Sequence, residues 1–87
     1  MARKHRKTYD SLHADPVRAN IAWADAVSML EALGATVTGA GGSMHSVEFV
    51  GSSIVLHRPH PGNELPRDAV RRIRNLLEKA GVIPDDL

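Results

Sequence analysis

Ser43-Met44-His45-Ser46-Val47-Glu48-Phe49-Val50-Gly51-Ser52-Ser53-Ile54-Val55-Leu56-His57 is the stretch whose reading decides the fold. Its first half alternates, with His45, Val47 and Phe49 on one side of an extended chain and Met44, Ser46 and Glu48 on the other. That period of two is the pattern of a strand with one buried face. Gly51-Ser52 reads as a two-residue hairpin turn with glycine first, so Ser53 to His57 is expected to return antiparallel. Upstream, Ala35-Thr36-Val37-Thr38 is short and β-branched, a further strand joined through Gly39-Ala40-Gly41-Gly42. Before it, Trp23, Ala26, Val27, Leu30 and Leu33 form one apolar stripe on a helix over residues 21–33, which Gly34 ends. Downstream, residues 58–65 hold Pro59, Pro61 and Gly62 and read as a loop. Pro66 suits the first position of a second helix. Val70, Ile73, Leu77 and Ala80 are its buried stripe, and Gly81 ends it. Thr8 to Ala14 has the makings of a short extra N-terminal helix, stopped by Asp15-Pro16.

The order is α-β-β-β-α after a short first helix. A three-stranded antiparallel sheet needs one apolar face covered, and two amphipathic helices on that face do so. The expected fold is α+β, a double-stranded-RNA-binding-domain-like sandwich whose other sheet face is free for solvent or a partner. The 87 residues have room for one core. With 43% apolar and 24% charged residues, the chain reads as globular rather than disordered. Without cysteine there is no disulfide, thiolate nucleophile or thiolate metal site. That usage suits a reducing cytoplasm, the expected location. No apolar run approaches the ~20 residues of a membrane span, and the basic start Arg3-Lys4-His5-Arg6-Lys7 has no apolar segment behind it.

Charge is placed unevenly. Residues 1–20 carry a net +3, residues 21–57 contain no Lys or Arg and carry −3, and residues 58–87 carry +1. A polyanion would meet two cationic patches. One is a basic N-terminal extension over residues 1–20, with Lys4, Arg6 and Lys7. The other is the last helix, where Arg67, Arg71, Arg72, Arg74 and Lys79 concentrate. An equally simple reading makes both patches solvated faces.

Five histidines are the compositional oddity. His5 and His13 read as surface residues. His45, His57 and His60 cluster around the sheet. His57-x-x-His60 is two ligands and not a metal site. His45, beside Val47 and Phe49, is either a structural residue or a proton carrier, for which imidazole is the best-suited side chain near neutral pH. Gly39 to Gly42 lacks the Lys-Ser/Thr of a phosphate loop, and no nucleophile elbow occurs. Three aromatic residues are too few for a base-stacking sheet. Histidines and cations without metal or cofactor suit one reaction, attack of an RNA 2′-hydroxyl on its own phosphate. DNA would not be cut.

Several segments together resemble the HicA (YcfA-like) toxins. These are Leu30-x-x-Leu33-Gly34-Ala35, Gly42-Ser43 opening a strand, His60-Pro61-Gly62-x-Glu64-Leu65 entering an Arg-rich helix, and Leu77-x-x-Ala80-Gly81 closing it. The likeness runs from about Ile21 to Pro84, so residues 21–87 are expected to be the HicA-like domain, and His5-Arg6-Lys7-Thr8 resembles an extension in one branch of the family. It implies the α-β-β-β-α fold, an mRNA endonuclease that uses histidine, and a HicB-like antitoxin as partner. Candidate catalytic residues are His45, His57 and His60. Candidate RNA contacts are Ser43, Arg58, Arg67, Arg71, Arg74, Lys4, Arg6 and Lys7. The family's Gly-Ser is followed directly by the catalytic histidine, whereas here Met44 holds that place and the histidine comes at 45. A one-residue offset sends a strand side chain to the opposite face. Three readings follow: a bulge brings His45 round, His57 or His60 takes over, or the protein binds RNA or its antitoxin without cutting. The sheet face near Met44 and Ser46 is the expected antitoxin surface.

Overall fold

The computed structural model describes residues 3–59 and 62–87 of the chain. Strand β1 spans Thr36–Gly39, β2 Met44–Phe49 and β3 Ser52–His57, in an antiparallel sheet of order β1-β2-β3. The register is continuous, from Met44↔His57 to Phe49↔Ser52 on one side of β2 and from Thr36↔Glu48 to Gly39↔His45 on the other. No bulge interrupts it, so the side chains alternate as read. Val47, Phe49 and Leu56 are buried on one face. Thr36, Thr38, Met44, Ser46, Glu48, Ser53, Val55 and His57 share the other.

The hairpin turns one residue earlier than expected. Phe49 pairs with Ser52, which makes Val50 and Gly51 the turn residues, at φ +48° and +76°. The expected Gly51-Ser52 turn would pair Val50 with Ser53 and carry the ladder on to Met44 opposite Pro59, which has no N–H to give. The observed register stops at His57 and leaves the proline outside. Its cost falls on Val50, a β-branched residue in the left-handed region. Val50 is 68% exposed, so nothing in the core depends on its side chain. Val50→Asn, which makes the Asn-Gly pair favoured in this turn, is expected to raise stability by about 1 kcal/mol. Thermal unfolding followed by circular dichroism checks this, as a rise of roughly 4–8 °C.

Helices α2 (Trp23–Ala32) and α3 (Arg67–Lys79) lie on the apolar face. The expected stripes are there, and Met29 and Leu76 are buried beside them. Both helices end alike. The Ala35 N–H donates to the Leu30 carbonyl at 2.9 Å and the Val82 N–H to that of Leu77 at 3.0 Å, with Gly34 and Gly81 at φ +104° and +75°. This six-to-one closure needs the left-handed residue that glycine supplies without strain. Pro66 stands one residue ahead of α3 as its N-cap.

The first helix, α1, spans Arg3–Leu12, earlier than the expected Thr8–Ala14. Arg and Lys are good helix formers, so the basic segment joins the helix. Tyr9 and Leu12 bury into the same cluster as α2, α3 and the sheet. His5 and His13, expected at the surface, are half-buried. The His13 ring stacks on Tyr9 with centroids 4.2 Å apart, and its Nδ1 donates to the Tyr9 carbonyl at 3.0 Å. The Tyr9 hydroxyl reaches the Val82 carbonyl at 3.5 Å. A short bridge pairs Ala22 with Glu64: the Trp23 N–H donates to the Asn63 carbonyl at 2.7 Å and the Leu65 N–H to that of Ile21 at 2.8 Å. It clamps the start of α2 to the chain entering α3.

Candidate active site at one end of the sheet

The β1–β2 connection and the end of β3 meet at the edge where Gly39, His45 and Met44 pair off with their neighbours. Backbone bonds fix this corner. The Met44 N–H donates to the Gly41 carbonyl at 3.0 Å, the Ala40 N–H to that of Met44 at 2.8 Å, and the Arg58 N–H to that of Ser43 at 2.7 Å. Ser43 thereby ties the glycine turn to the first residue after β3.

Ser43 also touches both described histidines of the cluster. Nδ1 of His45 lies 3.2 Å from the Ser43 carbonyl oxygen. A carbonyl only accepts, so this bond places a proton on Nδ1 and leaves Nε2 as the nitrogen for any proton transfer. The Ser43 hydroxyl lies 3.5 Å from Nδ1 of His57. His45 is half-buried on the helix face, edge-on to Trp23 with ring centroids 5.2 Å apart. His57 is exposed on the outer face, directly across from Met44. Two adjoining grooves open here, one lined by His57 and the other by His45, and both include Ser43, Arg58, Pro59, Gly62 and Asn63. Arg58 is exposed and is the cation they share.

Ser43, His45, His57 and Arg58 are thus brought together. His60 lies outside the described residues. The α3 arginines line neither histidine groove: Arg67 donates from Nε to the Val17 carbonyl at 3.3 Å, Arg71 is exposed and Arg74 is half-buried. On α1, Arg6 pairs with Asp10 at 3.3 Å one turn on, and Lys4 with Asp25 of α2 at 3.3 Å. The sequence pattern does not single out Asn63, which lines both grooves, or the Trp23 ring against His45. Asn63 is the unspecified place in the Gly62-x-Glu64 motif. Trp23 carries no signal beyond its place on the stripe. Among the described residues, no group of three His, Asp or Glu side chains could hold a metal ion, and no helix is long and apolar enough to cross a membrane.

A family model described as "HicA toxin of bacterial toxin-antitoxin" matches residues 23–82. No curated protein and no solved structure matches the chain.

Proposed function

The chain belongs to the HicA toxin family of bacterial toxin–antitoxin systems, and from that premise we propose that it is an endoribonuclease that cuts mRNA without a metal, in the cytoplasm. The observation that carries this reading is Ser43, whose carbonyl holds His45 and whose hydroxyl meets His57 beside Arg58. His45 offers a bare Nε2 that takes the proton of the RNA 2′-hydroxyl. The 2′-oxygen then attacks the adjacent phosphorus and forms a cyclic phosphate. His57 gives a proton to the departing 5′-oxygen, and the Arg58 guanidinium bears the charge that builds on the phosphate. In the proposed path, Arg67, Arg71 and Arg74 of α3 hold phosphates further along the strand.

The partner proposed is a HicB-like antitoxin that covers the outer sheet face. Met44 and Val55 are exposed there, 39% and 36%. That face has no Lys or Arg to favour phosphate. A second reading, a member that binds without cutting, is favoured by Met44, because a thioether moves no proton. The two part on one gel. The purified protein in EDTA is expected to cleave a long unstructured RNA and to leave a DNA strand of the same sequence intact, with cleavage lost in His45→Ala/His57→Ala. Intact RNA with correctly folded protein establishes the binding-only reading.

A further inference from the structure

A cavity of about 350 Å³ lies between α1, the linker that follows it and the first turn of α2, on residues that stand almost wholly before the family match. Lys4, Lys7, Ser11, Arg18, Asn20 and Asp25 are among its walls. Three cations face one carboxylate. Asp25 holds Lys4 at 3.3 Å, while Lys7 and Arg18 meet no carboxylate among the described residues. The Arg18 guanidinium donates to the Ser11 hydroxyl at 3.4 Å, which steadies it at the wall. Hydroxyl, amide and guanidinium donors around a cationic hollow match the oxygens of a phosphodiester.

The linker is also the partition between this cavity and the His57 groove. Arg18 and Asn20 line the first, and Ala19 lines the second. The partition is pinned on both sides, by Arg67 on the Val17 carbonyl and by the Leu65 N–H on that of Ile21. The two hollows therefore share the linker at residues 18–20 as a common wall, with Lys7 and Arg18 on its far side.

We infer that the N-terminal helix adds a second phosphate-binding cleft, in which Lys7 and Arg18 hold an RNA strand that continues over Ala19 from the His57 groove. This rests on the proposed function for its ligand, and the test separates the two. A fluorescent 12-nucleotide RNA methylated at every 2′-oxygen cannot be cleaved by 2′-attack, so anisotropy reads binding alone. Lys7→Gln/Arg18→Gln is expected to raise Kd about tenfold at moderate salt and to flatten the slope of log K against log salt by about 1.4, or ~0.7 for each phosphate that the variant no longer neutralises. Asp25→Asn, which releases Lys4, is expected to tighten binding several-fold and steepen the slope. Arg72→Gln/Lys79→Gln, on a groove that also holds Ser52 and Ser53 at the hairpin end of the sheet, is the control and is expected to change Kd less than twofold. Unchanged binding in the Lys7/Arg18 variant overturns the inference, as does an equal weakening in the control. So does displacement of the RNA by polyglutamate at matched charge, which carries no phosphate. If ordinary RNA stays uncut while the cleft variants still shift Kd, the nuclease reading falls and the cleft stands.

Discussion

On the proposed mechanism, His57→Ala is expected to lower the rate of RNA cleavage by about 10²–10⁴-fold, the range one positioned proton carrier supplies, and Met44→His added to that variant is expected to restore a substantial part of it. The second half follows from the register. Met44 and His57 are direct partners across β2 and β3 on the outer face, where opposing Cβ atoms stand about 4.5–5.5 Å apart. An imidazole moved from one strand to the other stays on the same side of the sheet and at the same end. His45 is not reachable by that exchange, because the uninterrupted ladder keeps it on the helix face beside Trp23. Met44→His is therefore expected to leave His45→Ala unrescued. Single-turnover cleavage of a labelled RNA reads all four proteins. Equal rescue of both histidine variants, or of neither, would sink the idea that His57 took over the place Met44 vacated.

Leu12→Ala is expected to cost about 2–5 kcal/mol, the usual range for truncating a fully buried leucine. Leu12 is 0% exposed although it stands outside the matched residues 23–82. Its neighbours in the cluster include residues of α2 and α3, so the cavity opens in the one core the domain has. In a chain of 87 residues this is a large share of the total stability. The measurement is urea unfolding followed by Trp23 fluorescence and by far-ultraviolet circular dichroism. A single coincident transition at lower urea is expected. A change below about 1 kcal/mol, or loss of helix signal ahead of the tryptophan signal, would mean that α1 undocks alone.

Residues 43–57 are legible in the sequence because a strand's period shows through when one face is buried, and Val47, Phe49 and Leu56 are. The hairpin reads one residue out of place because turn chemistry points to a leading glycine, while the ladder is decided at its far end, by Pro59. The start of α1 is hidden for a different reason. A run of Arg and Lys with only Tyr9 and Leu12 as buried apolar residues, beside the buried Thr8, shows too little stripe to be seen before its partners are known. In the site, strand alternation alone separates His45 from His57. Ser43 joining them is not legible, since its two hydrogen bonds depend on a glycine turn and on where β3 ends.

The hydrogen bond between Tyr9 and Val82 spans 73 residues. On the ribosome, α1 emerges well before α3, which covers part of its buried side. The earlier of the two helices is therefore the one that waits. Until residue 82 has cleared the exit tunnel, Tyr9 and Leu12 lack part of their cover, and the clamp between Ile21–Trp23 and Asn63–Leu65 closes only late in synthesis. A chain broken off before α3 would have its basic extension and its histidines but no fixed partition between the grooves. Order of synthesis thus makes synthesis through α3 and Val82 a condition for assembling the proposed RNA path.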